Sequence, residues 1–145
     1  MDWKQEAVAK LQQYEARQQA LDSIPEEIKR LEIENVSIRS AVSNAVPARG
    51  SGSKREDAML SNIVRREELA RQLESTRAWV RLVDRGLSAL DDEERLLFDR
   101  FYIHRYRGHV ERLIDELGVE AKMVYRRKDR ALRRFTMALY GGLES

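Results

Sequence analysis

The sequence predicts an all-α fold, in which a long antiparallel helical hairpin like a coiled-coil arm precedes a compact helical domain. Apolar residues recur at helical spacing through most of the 145 residues. The chain has only seven Gly and two Pro, too few for the many turns of a β-rich fold. Its 42% hydrophobic content excludes a disordered chain, and the absence of Cys excludes disulfides, thiolate zinc sites and cysteine nucleophiles.

A coiled-coil seam is predicted along the first part of the chain. Between residues 23 and 26, Ser-Ile-Pro-Glu has the form of a capping box, and Pro25 suits only the first turn of a helix. We therefore expect a new or kinked helix to begin at Ser23. Asn35 falls on the seam, where a polar side chain typically fixes register or partner. The apolar seam positions are Ala7, Leu11, Tyr14, Leu21, Ile24, Ile28, Leu31, Ile38 and Val42.

A flexible loop is predicted over residues 43–53, which contain Pro47 and a Gly-Ser-rich run. This run lacks the spacing and the terminal Lys-Ser/Thr of a phosphate-binding loop. A second capping box, Ser53 to Glu56, predicts the start of a long helix that ends near residue 87. One helical pair cannot cover its own apolar stripes, so residues 1–87 are expected to form an arm that pairs two copies into a homodimer.

A third helix is predicted to begin at four consecutive acids. Asp91 to Glu94 could form a metal site, but no further ligand is spaced to complete one, and acids at this position suit a helix N-terminus. We expect Asp91 to cap the helix, with Glu94 at its third position. The helix should end at Ile103. Gly86, shortly before it, is expected to weaken the second helix.

The C-terminal part of the chain, residues 88–145, has a helix-turn-helix layout. Val110, Leu113, Ile114 and Leu117 mark one face of a short helix, and Gly118 follows at the expected left-handed position. A second apolar-faced helix then carries six basic residues within nine positions. In this layout the second helix enters the DNA major groove. Its apolar positions are Val124, Ala131, Leu132 and Phe135.

Residues 87–139 resemble region 4 of the sigma-70 family, which binds a promoter element. The resemblance depends on Leu90, Glu94-Arg95, Phe101-Tyr102, Ile114, Leu117-Gly118, Val124, Ala131-Leu132 and Phe135. Two positions depart from that pattern: Glu120 replaces the usual Ser or Thr before the recognition helix, and Arg127 replaces an aliphatic residue. With its helical arm, the chain also resembles the ArpU/RinA-like late-gene regulators of phages and prophages. Nothing matches sigma region 2.

The resemblance implies which residues meet DNA. Ala121, Lys122, Tyr125, Arg126 and Asp129 would point outward from the recognition helix, with Arg126 suited to guanine. Phosphates would be contacted by Arg107, His109 and Arg112 at the start of the first helix, and by Arg130, Arg133 and Arg134 of the basic run. Arg127 could reach either a DNA phosphate or an acidic partner.

These observations predict a sequence-specific DNA-binding regulator of transcription, of phage late genes on the resemblance. We expect double-stranded DNA as partner, bacterial RNA polymerase as a further one, no membrane, and a cytoplasmic location at the nucleoid. No catalytic constellation is present, since His104 and His109 lie five residues apart, so we expect no enzyme, metal or cofactor. Two alternatives stay open: a DNA-packaging adaptor like a small terminase subunit, and a polymerase-docking module that does not read DNA.

Overall fold

The protein is helical throughout the computed structural model, which describes residues 2–44, 51–105 and 107–142. Those residues contain no strand, which confirms the all-α prediction, and none of their helices is long and apolar enough to span a bilayer. The α-helices are α1 (Trp3–Asn44), α2 (Ser51–Ser88), α3 (Asp92–Phe98), α4 (His109–Leu117) and α5 (Ala121–Tyr140), and one π-helical turn (Asp99–Ile103) follows α3.

Helix α1 runs without a break through Pro25, so the predicted helix start at Ser23 is wrong. The Ser23 hydroxyl donates to the Gln19 carbonyl at 3.3 Å, inside the helix, and caps nothing. A proline in a helix interior costs about 3 kcal/mol. Ile24 and Leu31, on either side of it, are both buried against α2, and this burial holds the helix together across the proline.

The predicted loop is partly helical. Residues 43 and 44 still belong to α1, and α2 begins at Ser51, two residues before the predicted start at Ser53. The rest of the predicted loop, residues 45–50 with Pro47, lies outside the described residues.

The chain forms two compact units whose boundary differs from the predicted one at residue 87. The first unit combines Met1–Gln18 with Ala78–Ser145, and the second unit is Gln19–Arg77. The reason is a shared core. The start of α1 contributes Leu11 and the end of α2 contributes Val83 to a buried cluster that also holds Phe98 and Phe135. The arm and the C-terminal helices are therefore not separate in sequence.

The second unit is held by contacts between α1 and α2. Ile24, Leu31, Leu69 and Leu73 form its buried cluster. The side-chain amide of Asn62 donates to the Leu31 carbonyl at 2.8 Å, and this bond fixes the register of the two helices. Beside it, Asn62 accepts from Arg66 at 2.8 Å, so its polar atoms are used although the residue is buried.

The core of the first unit depends on close approach of α2 to α5. Gly86 faces Phe135, and a Cβ atom there would lie 2.6 Å from the phenyl ring. Phe135 in turn meets Phe98 edge to face, with ring centroids 5.6 Å apart. The expectation that Gly86 merely weakens α2 therefore missed its role: the absent side chain makes room for α5.

The segment after α3 is wider than the α-helix that was predicted to continue to Ile103. The backbone N–H of His104 donates to the Asp99 carbonyl at 2.7 Å, five residues back, which is the π-helical pattern. Two aromatic residues near this turn, Phe98 and Phe101, belong to different buried clusters. Phe98 joins the cluster with Leu11 and Phe135, whereas Phe101 joins a second cluster beneath α4 and α5.

Candidate nucleic-acid interface

Helix α3 begins as predicted, with a reciprocal cap. The Asp91 carboxylate accepts from the Glu94 N–H at 2.8 Å, and the Glu94 carboxylate accepts from the Asp91 N–H at 3.1 Å. The acids also favour the positive end of the helix dipole. No group of three His, Cys, Asp or Glu side chains that could hold a metal occurs among the described residues.

Helices α4 and α5 meet through a short turn at Gly118. Its φ is 65°, the left-handed conformation that the sequence predicted, and its N–H donates to the Ile114 carbonyl at 2.9 Å. Glu120 precedes α5, but its side chain makes no capping hydrogen bond. Leu113 and Val124 are fully buried in the cluster with Leu97 and Phe101, so α5 is held against both α3 and α4.

The turn gives a direct prediction for Gly118. Gly118→Val should destabilise the protein by about 1–3 kcal/mol, because a β-branched residue is strained at positive φ. Nothing lies within 4 Å of a Cβ at this position, so crowding adds no cost. Thermal unfolding measures the effect. Gly118→Asn is the matched control, since Asn tolerates this conformation. Equal melting temperatures for the Val and Asn variants would contradict the backbone explanation.

Helix α5 carries an apolar inner face and a basic outer face. Val124, Leu132 and Phe135 are buried on the inner side. Opposite them lies a row of exposed cations that have no carboxylate partner within the described parts of the chain; we call it the basic stripe, and it consists of Lys122, Arg126, Arg130 and Arg133. At 1.5 Å per residue, Lys122 and Arg133 are about 16 Å apart along the helix, comparable with the roughly 12 Å width of the DNA major groove.

Two further arginines of α5 form contacts within the protein. Arg127 pairs with Glu93 of α3. Arg134 donates to the Glu94 carboxylate at 2.6 Å and to the Ala89 carbonyl at 2.9 Å. The sequence predicted a phosphate contact for Arg134, and either a phosphate or an acidic partner for Arg127. In the structure they connect α5 to the beginning of α3, so they fix the direction in which the basic stripe points.

An aromatic group surrounds Phe101 at the start of α5. His109 meets its ring edge to face at 4.8 Å and Tyr125 does so at 5.7 Å, and the Lys128 ammonium lies 5.3 Å from its centroid. His109, predicted to contact phosphate, is thus a packing residue in part. Lys128 turns inward, and its spacing of four from both Val124 and Leu132 could have revealed this.

The remaining predicted residues differ in exposure. Ala121, Arg107 and Arg112 are exposed, as a DNA contact requires. Asp129 is half-buried, pairs with Lys128 at 3.3 Å, and lines a groove of about 390 Å³ with Tyr102 and the first turns of α1. Asp129 therefore faces the side of α5, away from the centre of the basic stripe.

Three groups near α5 and the start of α1 have displaced pKa values. Burial, with help from the charge of Asp129, raises the pKa of the Tyr102 phenol above its usual range. Burial and the hydrogen bond to Asp84 do the same for the pKa of Tyr14. The hydrogen bond to Asp99, at 2.6 Å, raises the pKa of His104, which also lies 3.2 Å from Glu15. The Tyr14–Asp84 hydrogen bond connects the start of α1 to α2, and the His104–Glu15 pair connects it to the end of the π-helical turn. None of the three groups lies on the basic stripe.

No family model matches the chain, and no curated protein or solved structure matches it either.

Proposed function

We propose that the protein binds double-stranded DNA through α5, with α4 and α5 acting as a helix-turn-helix, and that it regulates transcription. The observation that supports this proposal best is the basic stripe. Its four cations lie on the outer face of one helix, and none of them forms an ion pair with the described residues. A helix whose inner face is buried can present such a stripe to a groove without rearrangement.

The cations of α5 would have two roles, contact with base edges and contact with phosphates. Lys122 and Arg126 lie one turn apart near the start of α5, where recognition helices contact base edges. An Arg at that place can bind guanine O6 and N7 together. Arg130 and Arg133 follow and would meet phosphates, which supplies affinity without sequence information. Regulation of phage late genes is the role that the sequence resemblance adds.

The test compares two single variants on selected and random duplexes. Arg126→Ala should cost about 1–3 kcal/mol on a selected site and relax the preference at one base pair. Arg133→Ala should weaken all duplexes alike and reduce the slope of log affinity against log salt by about one. Fluorescence anisotropy at several salt concentrations measures both effects.

The matched control is Arg71→Ala, which removes an exposed arginine from the second unit. It should bind every duplex as the parent protein does. If Arg126→Ala also binds like the parent on selected and random duplexes, α5 is not the reading helix. If the parent protein binds no duplex at any salt concentration, the polymerase-docking alternative becomes the better hypothesis.

A further inference from the structure

The second unit exposes two pairs of large apolar side chains. Ile33 and Val36 on α1 are each 62% exposed. On α2, Leu60 is 60% and Val64 43% exposed. Single exposed apolar residues need no explanation, but two pairs at the same part of a two-helix unit do.

The two pairs lie on opposite edges of the second unit. Successive residues of an α-helix are about 100° apart around its axis. Leu31 and Asn62 touch across the seam. Ile33 lies two residues after Leu31, and therefore about 200° around α1, on the side away from α2. Leu60 and Val64 lie two residues before and after Asn62, and so occupy the side of α2 away from α1.

Both edges also lie at the same height. The cluster extends from Leu31 back to Ile24 on α1, and from Asn62 onward to Leu69 and Leu73 on α2, so the two helices run in opposite directions. Two steps forward from Leu31 and two steps back from Asn62 then reach the same level, which places Ile33 level with Leu60. A second copy could therefore stand beside the first without a shift along the helix axes.

One charge on each edge can pair with one on the other. Lys29 lies one turn before Ile33 on the outer edge of α1, and Glu67 lies about one turn after Val64 on the outer edge of α2. Neither has an ion-pair partner among the residues that the structure describes. Their heights differ by three residues, about 4.5 Å, which long side chains can bridge.

We propose that copies of this chain associate head to tail through the second unit, with the α1 edge of one copy packed on the α2 edge of the next. Two-fold pairing, the simplest expectation from the sequence, joins each edge to its own counterpart and leaves the other apolar pair exposed. Head-to-tail contact covers both pairs at once. Level edges remove the rise along the helix axes that a helical filament requires, so the contact closes into a ring when each copy is also rotated by a whole fraction of a turn relative to the last.

The absence of Cys makes cysteine cross-linking a clean test. Purified Ile33→Cys, Leu60→Cys and the double variant would each be oxidised and separated on a denaturing gel. Head-to-tail contact predicts a ladder above the dimer for the double variant and a covalent dimer when the two single variants are mixed. Each single variant alone should stay uncross-linked. A dimer from one single variant alone, or no cross-link in the double variant, would overturn the proposal.

Charge reversal supplies an independent measurement. Lys29→Glu and Glu67→Lys should each shift the oligomer towards monomer by light scattering, because each places like charges across the contact. The variant that carries both changes should recover the parent mass. A monomeric parent protein, or a double variant no larger than the single ones, would refute the contact. Duplex binding is measured on the same samples with Arg126→Ala alongside, so a failure of the contact and a failure of the DNA proposal are distinguishable.

Discussion

Leu11→Ala is expected to lower the free energy of unfolding of the first unit by about 2–5 kcal/mol, although residue 11 lies far from α4 and α5 in the sequence. Leu11 is fully buried and shares its cluster with Phe98, Phe135 and Val83. Truncation removes the transfer energy of three carbons and leaves a cavity that rigid aromatic neighbours cannot close. Urea unfolding of the full chain, followed by circular dichroism and by tryptophan fluorescence, measures the loss.

The neighbouring residue supplies the control. Gln12 is exposed, so Gln12→Ala should change the unfolding free energy by less than about 0.5 kcal/mol. If the Leu11 and Gln12 variants unfold alike, the start of α1 does not belong to this core. Residues 88–145 would then be expected to fold alone, whereas the structure gives them an open core without residues 1–18 and 78–87.

Gly86→Val is the second substitution with a large expected effect, about 1–3 kcal/mol of destabilisation towards the upper end of that range. Its Cβ would lie 2.6 Å from one carbon of the Phe135 ring and 3.0 Å from a methyl of Leu139. Phe135 is fully buried and cannot swing aside, so α2 and α5 would have to separate. The better helix propensity of Val offsets only a few tenths of a kcal/mol.

Arg85→Val tests the same helix without the crowding. Arg85 is exposed, so Val there should cost only its lower helix propensity, a few tenths of a kcal/mol. Thermal and urea unfolding of both variants decide the matter. A Gly86 variant as stable as the Arg85 variant would show that α2 does not pack closely on α5.

The features that the sequence predicted correctly have local causes. The cap at Asp91 depends on a residue three positions away, and the positive φ of Gly118 depends on the end of one short helix. The helix through Pro25 could not be predicted, because the burial of Ile24 and Leu31 against α2 outweighs the local signal. The predicted boundary at residue 87 was wrong for the same reason, because Leu11 packs against residues near the other end of the sequence.

In the candidate site, too, the features set by local spacing were predictable and those set by tertiary contacts were not. The spacing of Lys122 and Arg126 places both on one face of a helix, and this needs no knowledge of the rest of the fold. The use of Arg127 and Arg134 inside the protein was not predictable. Their acidic partners, Glu93 and Glu94, lie 34 and 40 residues earlier in the chain. Only the packing of α3 on α5 brings these charges together.

A ring would also bear on the choice between functions. The sequence left a DNA-packaging adaptor open as an alternative, and a mass well above that of a dimer would favour it over a two-fold regulator. The two measurements therefore answer different questions. The mass from light scattering shows how many copies of α5 an oligomer contains. The Arg126 variant shows whether α5 recognises DNA sequence.

The position of Leu11 in the core of the first unit also governs the order in which the protein can form. The ribosome releases the start of α1 long before α5, so Leu11 cannot be buried until Phe135 has been synthesised. The contacts around Leu31 and Asn62 can form earlier. Contacts between parts of a chain as distant as Leu11 and Phe135 slow folding. Both tryptophans, Trp3 and Trp79, pack against this late core. Their fluorescence thus reports the slower step, formation of the core around Leu11 and Phe135, and does not report the faster closing of the seam around Leu31 and Asn62.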